Sequence, residues 1–166
     1  MPDDSPATSP ALDFSDPATA HAFRVINDAV MGGVSASRLS VDDAVLVFEG
    51  EVSLQNNGGF ASFRGPVRLP DLAPRLFVTV RGDGKRYKLT VKLDDSAASA
   101  QYQAPFTAPQ DWTTLRFGPG DFTASFRGRA VVAPPLAFGE VRTLGVLISE
   151  RQAGPFRIEL KDVRVA

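Results

Sequence analysis

In Tyr87-Lys88-Leu89-Thr90-Val91-Lys92-Leu93 every odd position is apolar and every even one polar. A period of two is the signature of an extended strand in an antiparallel sheet, with one face on a core and the other in water. The same short, turn-bounded pattern predicts strands at Val45 to Phe48, Glu51 to Leu54, Ala61 to Arg64, Leu76 to Arg81, Gln101 to Ala104, Thr113 to Phe117 and Leu144 to Ser149. Near the end, Phe156, Ile158 and Leu160 share even parity while Val163 and Val165 are odd, so the inward face changes across Lys161-Asp162. A β-bulge there would account for the shift. Helix signal is confined to Asp16 to Phe23, where Ser15 or Asp16 can cap and Pro17 suits the first helical position.

Eight or more strands at spacings of about 8 to 12 residues, without alternating helices, define an all-β class: an antiparallel β-sandwich or jelly roll. The chain has 166 residues, enough for one domain, and shows no repeat or linker. We expect residues 1–13, acidic and proline-rich at the start, to form a disordered tail, and residues 14–166 to form the sandwich. The opening residues lack both the apolar core of a secretory signal and the Arg-rich pattern of a transit peptide, so the expected location is cytoplasmic. No apolar run reaches the roughly 18 to 20 residues that span a bilayer, so no membrane insertion is expected. Abundant Arg, Ala and Pro fit a GC-rich bacterial source.

Charge and chemistry narrow the functions further. With 18 basic and 19 acidic residues and a net charge of -1, no long-range field steers the chain onto nucleic acid. It contains no cysteine, which excludes disulfides, thiolate metal sites and cysteine nucleophiles. His21 is the one histidine and lies near the helix, a poor setting for a triad or a metal cage. Adjacent carboxylates Asp42-Asp43 and Asp94-Asp95 belong to loops, since neighbours on a strand point to opposite faces and cannot act on one substrate. We therefore expect no catalytic residues, metal or cofactor.

Three loops concentrate unusual residues. Asn27-Asp28 precede Met31-Gly32-Gly33 and could meet a ligand or simply hydrogen-bond their own backbone in a turn. Asn56-Asn57-Gly58 has hairpin-turn chemistry, and Arg64, at the end of the following strand, calls for a carboxylate or a bound anion. Asp28 and Asp83 are its expected partners. In the third loop, Arg81-Gly82-Asp83-Gly84 leads to Tyr87; the glycines do not build a dinucleotide site, because no helix follows. Trp112 is read first as a tryptophan at the edge of the core, and otherwise as an exposed stacking ring.

Val30-Met31-Gly32-Gly33-Val34-Ser35, Asn57-Gly58-Gly59-Phe60-Ala61-Ser62 and Arg81-Gly82-Asp83-Gly84 with Tyr87 resemble, in order, the complex I intermediate-associated protein 30 (CIA30) family. Trp112, Phe122, Phe126-Arg127-Gly128-Arg129 and the segment from Leu144-Gly145 to Gly154-Pro155-Phe156 continue the pattern, so the resemblance covers about residues 14 to 165. It implies a galactose-binding-like jelly roll and a role in assembly, since the mitochondrial member is an assembly factor for respiratory complex I, the NADH:ubiquinone oxidoreductase. The implied partner is a protein, with complex I subunits or intermediates as candidates. A binding module would use Asn27, Asp28, Arg64, Arg81, Asp83, Tyr87, Trp112 and Arg127. The rival expectation is a carbohydrate or small-ligand module of the galactose-binding-like type.

Overall fold

A computed structural model describes residues 10–27, 36–54, 59–71, 73–94, 99–126, 129–149 and 152–165. Among the described residues, thirteen strands form two antiparallel sheets. They are β1 (Leu12–Asp13), β2 (Arg24–Asn27), β3 (Ala36–Asp42), β4 (Val45–Val52), β5 (Ala61–Pro66), β6 (Leu76–Gly82) and β7 (Arg86–Lys92). After these come β8 (Gln101–Thr107), β9 (Thr113–Phe117), β10 (Thr123–Phe126), β11 (Arg129–Ala130), β12 (Thr143–Ile148) and β13 (Gly154–Val165). The six-stranded sheet runs β3-β4-β13-β6-β9, with β1 also paired to β13; the seven-stranded sheet runs β11-β10-β8-β7-β12-β5-β2. The expected antiparallel sandwich is the fold.

The alternation that predicts the strands also fills the space between the sheets. Leu46, Phe48, Val78, Val80, Ile158 and Leu160 face inward from one sheet; Phe63, Leu89, Val91, Leu144, Val146 and Ile148 face them from the other, all nearly inaccessible to solvent. Two chains of aromatic rings cross the gap. Phe48 meets Phe63 edge-on at 4.9 Å between centroids and Phe156 at 5.0 Å. Phe106 of β8 reaches Phe117 of β9 at 6.0 Å.

The parity change near the end is a register shift between Leu160 and Asp162 in the pairing of β13 with β6. The bulge expected at Lys161-Asp162 is therefore present, and it returns Val163 and Val165 to the interior. Helix α1 spans Pro17–His21; Asp16 caps it by accepting from the Ala18 N–H, with Pro17 in its first turn. His21 is exposed at its end.

Other expectations need correction. The strands read as Val45 to Phe48 and Glu51 to Leu54 are one continuous β4, because Gly50 is not a turn. A Cβ there would lie 2.1 Å from the Ala36 carbonyl oxygen, so this glycine permits close approach of β3. The sandwich also begins before residue 14. Leu12 and Asp13 pair with Val163 and Asp162, and Leu12 is buried.

Asp43 and Ala44, the two residues between β3 and β4, both have positive φ, 52° and 67°. That is the backbone of a two-residue type I′ hairpin turn, and it strains a residue carrying a Cβ. Replacing Ala44 with Gly should raise stability by up to about 1 kcal/mol in urea unfolding. Phe63→Ala should lower it by about 3 to 5 kcal/mol in the same assay, because the cavity would open where the two sheets meet.

Candidate functional site

Outward positions of the six-stranded sheet carry a lattice of charges. Register puts Arg38 opposite Glu49, Glu49 opposite Arg157, and Glu159 opposite Arg81. Directly opposed residues share a face, so opposite charges meet across each strand gap. The Arg38 Nη2 donates to Glu49 Oε1 at 2.9 Å, and Arg157 Nη1 donates to Glu49 Oε2.

Glu159 is the centre of the lattice. Arg81 donates to its Oε2 from Nε at 2.9 Å and Nη2 at 2.6 Å, and Arg157 donates to its Oε1 from Nε at 3.2 Å and Nη2 at 2.9 Å. The carboxylate side chain is only 10% exposed, whereas the two arginines are nearly half exposed. Desolvation pushes the Glu159 carboxyl up, but hydrogen bonds from Arg81 and Arg157 and their positive charge outweigh it and hold it below the usual carboxylate value.

At the end of the lattice the Arg81 guanidinium lies over the Trp112 ring, 4.7 Å from its centroid, and Lys161 Nζ approaches the same ring at 5.9 Å. Trp112 is 36% exposed, which corrects the expectation of a tryptophan at the core's edge. It directly precedes β9, in line with Arg81 on β6, so the sheet presents it outward. Arg81 and Trp112, two of the expected residues, are thus brought together.

Asp83 and Tyr87 form a second, more interior network. Asp83 accepts from the Tyr87 hydroxyl at 3.1 and 3.0 Å, from the Lys85 N–H at 3.1 Å and from the Arg157 N–H at 2.9 Å. Asp83 therefore ties the turn between β6 and β7 to β13. Tyr87 is only 1% exposed, so its expected role as a contact surface is corrected: it is a core residue with its hydroxyl at the boundary. Burial and the charge of its hydrogen-bond partner Asp83 push its pKa well above the usual phenol value. Ionised Glu159 and protonated Tyr87 are both far from the balance a general acid or base needs near neutral pH.

Arg64 stands elsewhere, facing outward from the seven-stranded sheet. Its row contains Arg24, Gly145 and Thr90, three residues along and two strands across from Tyr87, on the order of 14 Å between α-carbons. The pairing of Arg64 with Asp83 is therefore corrected, since that carboxylate belongs to the other network. Asn27 ends β2, paired with Ala61. Asp28 and Arg127 lie outside the described residues, as do Gly32-Gly33 and Asn57-Gly58.

Sequence reasoning missed Glu159, Arg157, Glu49 and Arg38. The inward run Phe156, Ile158, Leu160 already implied that Arg157 and Glu159 point outward on one face. Their partners, however, lie 78 and 108 residues away in sequence. A cleft of about 650 Å³ opens beside this network, lined by Ala36, Arg38, Glu51, Asp83, Pro155 and Arg157 among others. Among the described residues, no group of three or more His, Cys, Asp or Glu side chains is placed to hold a metal ion, and no helix is long and apolar enough to cross a membrane.

The same sandwich is found in carbohydrate-binding modules. The family 11 module of the cellulosomal cellulase Lic26A-Cel5E of Clostridium thermocellum superposes with a TM-score of 0.68 at 8% identity, over 98% of this chain and 95% of that one. A family 11 module from the same organism, in complex with a β-1,3-1,4-mixed-linked tetrasaccharide, gives 0.57 at 9% identity over 87% and 88%. TmCBM61 in complex with β-1,4-galactotriose gives 0.51 at 12% identity over 96% and 99%. At such identities the likeness defines a fold class, a galactose-binding-like β-sandwich, and nothing about ligand.

The sequence itself is more specific. The model of the complex I intermediate-associated protein 30 (CIA30) family matches residues 12–160, and the chain belongs to that family. No curated protein matches the chain.

The lattice makes a pH prediction. Because the folded-state pKa of Glu159 lies below its unfolded value, its stabilisation is present above about pH 4.5 and is lost as pH falls through the folded value. Glu159→Gln should cost about 1 to 3 kcal/mol at neutral pH. It should also flatten the loss of stability with acid, as read from urea midpoints between neutral pH and pH 3.

Proposed function

We propose that this chain is a non-catalytic protein-binding module that acts in assembling a multi-subunit complex, with respiratory complex I subunits or intermediates as its candidate clients. The observation that carries this reading is the family match over residues 12–160. The Trp112 surface supports it. Binding energy between proteins is concentrated in a few aromatic and arginine anchors, and charge complementarity around them selects the partner. Trp112 held by Arg81, beside the Glu159, Arg157 and Glu49 lattice, has that composition. The site residues we retain for the partner are Arg81 and Trp112 on this face; Asn27, Asp28, Arg64 and Arg127 stay as proposals.

A carbohydrate module is the second reading, favoured by the likeness of fold. Trp112 would be its stacking platform. It is the one aromatic among the exposed large apolar residues described, whereas Val41, Val131 and Val132 offer no ring.

Affinity capture of the tagged chain from its native host, beside a Trp112→Ala variant, tests both readings. Complex I subunits should be enriched with the native chain and depleted about tenfold or more with the variant, while thermal unfolding of the two is similar. Equal capture by both, or retention of the chain on a β-glucan or galactan matrix with no subunit enriched, would contradict the reading.

A further inference from the structure

A strand at the end of a sheet turns half of its main-chain groups away from its one neighbour, and those groups still need partners. Among the described residues, the two strand paths end at β3 and β9 in one sheet and at β11 and β2 in the other. β2 and β3 lie against each other, so the sandwich is closed on that side. β11 is only two residues long. β9 is different: Thr113–Phe117 runs five residues in unbroken register with β6, contains no proline and includes the strand formers Thr and Phe.

Which groups of β9 face the open edge follows from β6. The Gly82 N–H points to the β9 side and donates to the Pro109 carbonyl at 2.6 Å. Main-chain groups alternate in direction along a strand, so Val80, Val78 and Leu76 bond β9. Their register partners Thr113, Leu115 and Phe117 therefore turn N–H and C=O to β6, while Thr114 and Arg116 turn theirs outward. The Thr79 and Thr114 hydroxyls meet at 3.0 Å, as befits an opposed pair whose main chains are not bonded and whose side chains lie closer.

Beside this edge the sandwich is open. A cleft of about 320 Å³ lies between β9 and β8 of the other sheet, lined by Pro105, Phe106, Leu115 and Phe117 among others. Its floor is rigid, since Phe106 is 6.0 Å from both Tyr87 and Phe117 between ring centroids. Phe106 and Leu115 are only half-buried, which leaves apolar surface at the cleft mouth. Trp112 stands at the start of the same edge.

We propose that the partner docks on β9 as an added strand: an extended segment of about five residues whose main chain bonds that of Thr114 and whose alternate, apolar side chains enter the cleft beside Leu115 and Phe106. The chemistry of the edge selects this occupant. A helix spends its main-chain groups on itself, and a sugar does not present donors and acceptors at the spacing of a strand. Five residues bury far less than the about 800 Å² per partner of a stable interface, so this edge alone would not hold a second copy; joined to Trp112 it forms one continuous surface.

The choice of a protein partner rests on the protein-binding reading, and the test separates the two. The probe is a set of linear nonapeptides selected on the immobilised chain from a random phage-displayed library. Selected peptides should carry apolar residues at every second position and lose about tenfold or more in affinity with Thr114→Pro. That change removes an outward N–H and no bond to β6, so thermal unfolding should stay close to native. Val132→Ser, which removes a fully exposed apolar side chain elsewhere, should leave the affinity unchanged. In the native chain, hydrogen exchange followed by NMR should find the Leu115 amide slow and the Thr114 amide fast, and a bound peptide should slow Thr114 about tenfold or more, a readout independent of how the variants fold. No selected peptide, helical spacing of the apolar residues, equal binding to Thr114→Pro, or a Thr114 amide that the peptide leaves unchanged would overturn the proposal. Dimerisation of the native chain at micromolar concentration, abolished by Thr114→Pro, would give the edge to a second copy and overturn the partner assignment. Failure here with Trp112-dependent capture intact removes the added strand alone; failed capture with peptides bound at Thr114 removes the assembly reading and leaves the edge.

Discussion

The contact of Phe48 with Phe63 holds the two sheets face to face, and the outer surfaces depend on it. Each ring is buried on its own strand, and each is linked to a further aromatic, Phe156 for one and Phe23 for the other. Dispersion and desolvation of such rings are the main favourable terms for a sandwich without disulfides. With that core fixed, every second residue of every strand is obliged to face outward. The charged outer surface is therefore a by-product of core register: Arg157 and Glu159 are aligned with Glu49 and Arg81 because Phe156, Ile158 and Leu160 are aligned with the interior.

β13 carries most of this coupling. It pairs with both β4 and β6, and its bulge at Lys161 lets one strand keep an apolar inner face along twelve residues. The cost of placing Glu159 between two partly exposed arginines is modest, since three or four good hydrogen bonds offset its desolvation. What the lattice adds is order: long side chains that would sample many rotamers are pinned, and the Arg81 guanidinium is held over the Trp112 ring. An ordered anchor loses less entropy on binding than a free one.

Much of the fold was legible in the sequence. The alternation from Tyr87 to Leu93, the parity change at Lys161-Asp162 and the Asp16-Pro17 cap are local signals, and each corresponds to an observed element. β3 was not legible: in Ala36–Asp42 only alternate residues are even half-buried, as befits an edge strand, so its apolar pattern is weak. Gly50 reads as a turn unless the nearby β3 backbone is known. The site was less legible than the fold. Arg81 and Trp112 could be named from their residue types, but their partners arrive through strand order, which no local pattern encodes. Tyr87 was misassigned because a strand pattern cannot tell a core tyrosine with a wet hydroxyl from a contact residue.

The central claim is that the face bearing Trp112 meets a protein partner, and hydroxyl-radical footprinting reads that directly. The tagged chain is labelled alone and again within the captured assembly, and oxidation of the Trp112 ring is quantified by mass spectrometry. Strong protection of Trp112 in the assembly, with the fully exposed Val132 after β11 still oxidised, is the predicted result. Equal oxidation of Trp112 in both states would contradict the account.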